Sequence, residues 1–579
     1  MISLFKTIGA KVPLWAKSTP LDLKRWRASI SDLHETIASE SQDASQSPHT
    51  TTEAVVRTDN AIGEDELVFQ QSRLRAIKDS FCRYLDIPVS EVELEDIPVI
   101  AASVSGGGFR SVVATAAFIE TLNAEGLYDS LMYLAGVSGG CWGLSFLYVA
   151  DCSPSNINEA VQKVLTRWLT PLVCFGASGE AIPPFVYDFY GALEIKRLSG
   201  QKLDAVDFYS VLLDCILFGT VKTPEWDRRR LKFSYYAELC RSGQMPLPLF
   251  YAIHIDRPWE PGFSDDWTKA DRAAYITIVE ESGQAARYNW MEFSPFEIGA
   301  VDFSAWIPTW SFGRRFIDGR SVPALGSANV MEQNLSLILG IVGSALSTTW
   351  GKTLKQLLGK LSFLPESYRS ELRASIERAE STKAGEVLYD ATLPPGKIWN
   401  MAYQSQANTP KPQPGVQFDA TIELLDAGTD RNLPLDVLTR AGRNVDIFLA
   451  LDTSSYVISN GFPGSLHSFA QQHGYLPPPT KQRQGRPDFE ITQLVPASAD
   501  TAAAQSPVSI VYIPVAKFDD NPFDPMTVGD GEYSMSKQKY DALAQNVSRR
   551  LSSNASAIKQ SIRECYERKK QARLARVGG

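Results

Sequence analysis

The sequence predicts an α/β fold: a central mixed, largely parallel sheet flanked by helices, with helical cap or lid insertions. Three observations carry this reading. Short apolar, strand-like runs alternate with helical patterns from Val99 to the C-terminus. Two of those runs end in glycine-rich turns that lead straight into helices, Gly106-Gly-Gly108 and Gly136-Val-Ser-Gly-Gly140. The 579 residues, 44% hydrophobic and 21% charged, suffice for a large core of ordinary globular composition.

Taken in order, the first 21 residues hold Lys6, Lys11 and Lys17 but no acid before Asp22. A secretory leader would run its apolar core through Lys11, so none is expected. The plain reading is a poorly ordered terminus; an organelle (mitochondrial) transit peptide or a membrane-touching helix is the alternative. Glu40 to Asp65 is polar, acidic and nearly free of large apolar side chains, the composition of a disordered linker. It separates an N-terminal extension, residues 1–65, from a main body, residues 66–579.

A helical pattern from Glu66 (Leu67, Phe69, Leu74, Ile77, Phe81, Leu85) leads to the strand Val99–Val104. A small-residue helix follows, roughly Val112 to Glu125, and stops at Gly126. Leu131 to Ala135 is a second strand, and the turn after it bears Ser138 before another helix begins. Strand, sharp serine-bearing turn and helix is the layout of a nucleophile elbow, whose glycines allow the strained backbone that lifts the hydroxyl clear of the sheet.

Ile157–Leu172 and Asp204–Phe218 read as helices. Leu247–Ile255 reads as a buried strand, with Tyr275–Val279 its hairpin partner or neighbour. A helical block runs from about Asn329 to Leu361, with an amphipathic end. Tyr403–Val416 is a loop, and Gly474–Ala504 is another around a short strand-like piece. Thr421–Leu425, Val445–Leu451 and Val508–Ile513 are strands, and a C-terminal helix starts near Ser536. Its basic run, Arg568-Lys-Lys570 with Arg573 and Arg576, is expected to complement the helix C-terminus.

Composition also excludes. A net charge of −9 argues against nucleic acid as a partner. Seven cysteines, odd in number and without a CxxC pair, favour reduced thiols over a disulfide framework and suggest no metal site. The longest apolar run, Leu335–Trp350, is short for a bilayer span. Gly351-Lys-Thr353 lacks the first P-loop glycine, because Leu346 stands there, and Ser111 replaces the third glycine of a dinucleotide fingerprint.

What remains is acyl transfer. One glycine-rich turn supplies a nucleophile, and the other supplies backbone N–H groups with no Cβ in the way of an oxyanion. Ser138 needs a base. His34 and His49 lie in the N-terminal segment and His254 in an apolar strand, whereas His467 and His473 follow a strand end and suit a Ser–His–Asp triad. Asp426, at the end of Leu424-Leu425 and before Ala427-Gly428, is the carboxylate alternative, although an Asp there also forms turns.

Ser105-Gly-Gly-Gly-Phe-Arg110, Gly136-Val-Ser-Gly-Gly140 and Asp426-Ala-Gly428 resemble the three catalytic motifs of the group IV cytosolic phospholipase A2 and fungal phospholipase B (lysophospholipase) family. Leu247-Pro-Leu, Trp290-Met-Glu-Phe-Ser-Pro-Phe-Glu-Ile-Gly299, Gly343-Ser-Ala and Asp426 through Pro434 resemble further family blocks, over roughly Arg73 to Lys559. The resemblance implies a patatin-like catalytic domain and a Ser–Asp dyad: Ser138 attacks a lipid ester and Asp426 takes its proton. It implies Gly107, Gly108 and Gly139 as oxyanion donors, Arg110 at the substrate phosphate and Asn432 as site support. It implies a phospholipid or lysophospholipid substrate, no cofactor, and transient contact with a membrane surface by a cytoplasmic enzyme. Two departures, Gly139-Gly140-Cys141 and Ala427, remove no group that the dyad needs. About 65 residues precede the catalytic body, too few for a calcium-binding C2 domain, so calcium dependence is not expected. Thr353–Phe363 and Tyr403–Val416 are lid candidates. A non-catalytic lipid-binding member of the same fold is the rival reading.

Overall fold

Every residue of the first two strands, β1 (Ile100–Val104) and β2 (Leu131–Val137), is buried, as central strands covered on both faces must be. The computed structural model describes residues 33–43, 47–150, 152–166, 184–219, 228–256, 287–324, 329–344, 370–371, 373–374, 395–405, 416–457, 461–478, 488–497, 506–518, 521 and 523–577. Within them β1 and β2 join β3 (Leu247–Asp256), β4 (Arg287–Phe293), β5 (Glu297–Ala300), β6 (Ala305–Pro308), β9 (Gly396–Trp399), β10 (Thr421–Asp426), β11 (Ile447–Asp452), β12 (Glu490–Leu494) and β13 (Val508–Pro514) in one sheet. Its order is β12-β13-β11-β1-β2-β3-β4-β5-β6, with β10 between β3 and β9. β7 (Arg315–Ile317) and β8 (Arg320–Val322) form a separate hairpin. The centre, β13-β11-β1-β2-β3, is parallel, and both flanks are antiparallel. That is the expected mixed α/β sheet, parallel where helical crossovers join its strands.

Helices cover both faces. On one side α2 (Gly108–Ala124), α3 (Gly139–Val149), α6 (Ala205–Phe218), α7 (Leu335–Val342) and α9 (Lys537–Ser553) share a core with Phe250, Ala252 and Met291. On the other, Phe69 of α1 (Glu64–Leu85) and Leu466 and Phe469 of α8 (Phe462–Gln472) pack on Tyr133, Val137 and Tyr251. α2 and α3 cross closely because Gly143 has no side chain: a Cβ there would sit 2.6 Å from Thr115 Cβ.

A buried ionic chain knits the second face. Arg443 bridges Glu66 (2.8 Å) and Glu292 (2.6 Å), and Arg440 bridges Glu292 (3.0 Å) and Glu297 (2.7 Å). Burial opposes ionisation of Glu292, yet Arg443 and Arg440 hold its carboxyl below the usual value. The distinctive Trp290–Gly299 block is thus largely structural: its two glutamates neutralise arginines that the core has enclosed.

Several expectations resolve differently. Among the described residues β4 pairs antiparallel with β3, and Tyr275–Val279, expected there, lies outside them. Only Leu335–Val342 of the Asn329–Leu361 block is a described helix; Asn334 is extended, and Asn329 is drawn away by its side-chain bond to Thr50 O. The lid candidates Thr353–Phe363 and residues 406–415 also fall outside. The supposed linker has defined contacts where it is described. Arg57 N–H donates to Trp306 O, its guanidinium pairs with Glu297 at 2.7 Å, and Ala54 and Ile62 are buried. The C-terminal helix is two, α9 and α10 (Ala555–Val577). Its basic residues pair with acids elsewhere rather than serving the helix end: Lys569 with Asp446 at 2.7 Å and Arg573 with Asp96 at 2.8 Å.

Removing Glu292 takes one of its two carboxylate partners from each of two buried arginines. Glu292→Ala is therefore expected to cost about 3–5 kcal/mol, read as a lower denaturation midpoint, whereas exposed Glu423→Ala should stay within about 0.5 kcal/mol of the parent.

Candidate active site

The geometry follows from one strand. β3 has ten residues and runs past the end of β2, so its free edge is shared. β2 pairs with it in parallel up to Val137 opposite Tyr251, and β10 pairs with it antiparallel down to Asp426 opposite Ala252. Two strands thus travel toward one another along the same edge and meet at adjacent residues. Neither can continue. β2 turns out into Ser138 and β10 turns out at Ala427–Thr429, which sets the two predicted reactive residues at facing strand ends.

Ser138 occupies that turn with φ 52° and ψ −124°, a strained conformation for a residue with a side chain, and is only 4% exposed. The neighbouring glycines make the turn possible. A Cβ on Gly139 would lie 2.1 Å from Gly108 O, and one on Gly140 2.8 Å from Val104 O. The elbow and the first glycine-rich turn therefore touch backbone to backbone. Ser138 is the N-cap of α3 and Gly139 its first residue; Gly107 and Gly108 stand in the same places on α2. Their N–H groups belong to helix starts, where the helix offers no acceptor. Three predicted oxyanion donors thus sit at two helix N-termini, where the dipole favours negative charge.

Gly107 (φ 144°) and Gly108 (φ 56°) adopt conformations that side chains avoid. Gly108 is pressed by the segment before α9, for a Cβ there would lie 2.0 Å from Asp530 O, which accepts the Phe109 N–H at 2.8 Å. Arg110, expected at the substrate phosphate, is turned inward and 4% exposed. Its Nε donates to Thr453 O and its Nη1 to Val528 O, both at 2.9 Å, and its Nη2 pairs with Asp530 at 2.8 Å. Burial lowers its pKa, opposed by Asp530 and Asp452. In this arrangement the guanidinium is spent inside the protein, tying α2 to the chain around residues 528–530.

Asp426, 1% exposed, accepts the Gly428 N–H on Oδ1 at 2.8 Å, and its own N–H donates to Ser344 Oγ at 3.1 Å. Its charge is felt on α3: burial pushes the Cys141 thiol well above its usual pKa, and Asp426 pushes in the same direction. Asn432 joins the two halves. Its carbonyl accepts Gly106 N–H at 3.3 Å, its Nδ2 donates to Gly428 O at 3.4 Å, and its Oδ1 lies 2.6 Å from where Gly106 would carry a Cβ. Ser138 Cβ lies 3.1 Å from that same point. Ser344 and Thr453 belong to this environment too, and sequence reading assigned neither a role. Ser344 sits in the Gly343-Ser-Ala block, which was a signal without a chemistry; Thr453, one residue past a strand, carried none.

Two histidines, His473 and His254, are bonded elsewhere. His473 bonds Asp436 at 3.0 Å and Thr439 at 3.2 Å, and lines a cavity of about 650 Å³ with Trp290 and Asp430. His254 bonds Glu423 O at 3.0 Å. His467 lies on α8. Among the described residues no cluster of His, Cys, Asp and Glu could hold a metal ion.

The model of the lysophospholipase catalytic domain family matches residues 100–466. The chain is 26% identical over 277 residues to human cytosolic phospholipase A2 zeta, a match covering 48% of this chain and 28% of that protein. Its fold is similar to that of human GIVD cytosolic phospholipase A2, with a TM-score of 0.61 at 17% identity over 89% of this chain and 66% of that one. The same enzyme in complex with methyl gamma-linolenyl fluorophosphonate gives a TM-score of 0.58 at 17% identity over 90% and 66%. This chain therefore spans just over a quarter of the curated relative and just under two thirds of the solved chains.

The contact between turns is open to test. Gly139→Ala drives a methyl into Gly108 O and is expected to lower turnover of an ester substrate at least about 100-fold. Gly464→Ala, with nothing within 4 Å, should leave it unchanged.

Proposed function

Because this chain belongs to the lysophospholipase catalytic domain family, we propose that it hydrolyses fatty-acyl esters of phospholipids or lysophospholipids with a Ser138–Asp426 dyad. The observation that carries this is the register on β3, with Val137 opposite Tyr251 and Asp426 opposite Ala252. Asp426 accepts the hydroxyl proton as Ser138 Oγ attacks the ester carbonyl. Negative charge then develops on the carbonyl oxygen, where N–H groups of Gly107, Gly108 and Gly139 stabilise it. Asp426 returns the proton to the leaving glycerol oxygen, and water releases the fatty acid from the acyl-enzyme by the same steps in reverse. Asp426 Oδ1 is already held by Gly428 N–H, so the carboxylate needs no histidine to orient it.

No cofactor is needed for these steps. No helix among the described residues is long and apolar enough to cross a membrane. The proposed reaction has the substrate met at a lipid surface by transient contact, with the enzyme in the cytoplasm. A Ser–His–Asp triad through His473 is the weaker reading, because that ring is already bonded to Asp436 and Thr439.

A fluorophosphonate probe is expected to label the wild type and not Ser138→Ala. Asp426→Asn should lose ester hydrolysis, while His467→Ala and His473→Ala keep near-normal rates. Labelling that survives Ser138→Ala, or a folded wild type without hydrolysis of lysophospholipid vesicles, would sink the reading. Mass spectrometry of the acid released from positional isomers assigns the bond cleaved.

A further inference from the structure

β11 leaves the sheet beside the oxyanion turn, and its first residue beyond the strand is wholly buried Thr453. β1 and β11 pair in register to Val104 opposite Leu451, and Ser105 N–H extends the ladder to Leu451 O at 3.0 Å. From there side chains take over. Thr453 N–H donates to Ser105 Oγ at 2.7 Å, and Thr453 Oγ1 donates to Gly106 O at 2.8 Å. Ser105 Oγ and Thr453 Oγ1 are 3.2 Å apart, and Arg110 Nε donates to Thr453 O at 2.9 Å. The same residue presses on Gly107, where a Cβ would lie 2.7 Å from Thr453 O and 2.8 Å from its Oγ1.

In a trans peptide the carbonyl and the following N–H point in opposite directions. Pinning Gly106 O toward Thr453 therefore aims Gly107 N–H away from it. Thr453 packs against Gly107, while Ser138 Cβ lies 3.1 Å from the Cβ position of the preceding Gly106. We propose that Thr453 is a positioning residue whose hydroxyl sets the direction of the Gly107 oxyanion donor, with Arg110 and Ser105 holding Thr453 in place. This rests on the hydrolase reading above. It gives Arg110 a task different from gripping phosphate: it holds the backbone of the residue that orients the turn.

The test compares Thr453→Val, which keeps the shape and removes the hydroxyl, with Thr453→Ser, which restores it. On a lysophospholipid, Thr453→Val is expected to lower kcat roughly 10- to 100-fold with KM within about threefold. A lipid trifluoromethyl ketone, which forms a tetrahedral oxyanion on a serine, should bind Thr453→Val more weakly by a similar factor, and Thr453→Ser should recover both. A packing role alone would not separate kcat from KM or follow ketone affinity. Thr453→Val with wild-type kcat and ketone affinity, or Thr453→Ser as impaired as Thr453→Val, would overturn the assignment. If Thr453→Val does not fold, Ser105→Ala removes the other hydroxyl of the pair and carries the same expectation. A wild type that neither hydrolyses the lipid nor binds the ketone would sink the hydrolase reading, and this inference with it.

Discussion

The rest of the molecule depends on a collision between two strands. β2 and β10 claim the same edge of β3 from opposite directions, and the sheet has room for only one backbone at each position along it. Each must leave where they meet, and leaving a sheet within one or two residues requires a tight turn. The strain at Ser138 and the short turn after Asp426 are the local consequences. Everything else, from the glycine contacts to the Asn432 bridge, keeps those two turns at a fixed separation.

That separation is held by backbone more than by side chains. Gly139 lies against Gly108 O, Gly140 against Val104 O and Gly107 against Thr453, so the two helix starts are locked with almost no side-chain volume between them. Rotamers can hop, whereas backbone packed on backbone has few alternatives. Behind this, the Glu66–Arg443–Glu292–Arg440 chain stiffens the face on which β3, β4 and β10 lie. Enclosing such charges is costly, and in return their directional bonds admit few other arrangements.

Much of this was legible in the chain. The alternation of strands and helices, both glycine-rich turns and Asp426 at a strand end could be read because each is a local pattern: periodicity, a φ only glycine tolerates, a strand followed by a turn former. What escaped was non-local. Nothing near Asp426 says that β10 runs antiparallel into the end of β2, because that pairing depends on the length of β3. The antiparallel pairing of β3 with Arg287–Phe293 escaped for a similar reason, since composition does not reveal which strand-like segment supplies the matching register. Arg110 was legible as a charge beside three glycines, but its acceptors come from Thr453, Val528 and Asp530, hundreds of positions away. In the polar stretch before Asp65, Arg57 finds Glu297 and backbone of β6, partners its own composition does not announce.

The cysteine just beyond the elbow has a chemical consequence. Cys141 stands less than one helical turn after Ser138, wholly buried, with its thiol kept protonated by its surroundings and by Asp426. Sulfur is ordinarily the softer and faster nucleophile, so a thiol this near a reactive hydroxyl would compete for any electrophile. Here the fold has disarmed it. Alkylating agents and mild oxidants should pass Cys141 by, and under the proposed dyad a covalent inhibitor that reaches the site forms its bond to the Ser138 oxygen.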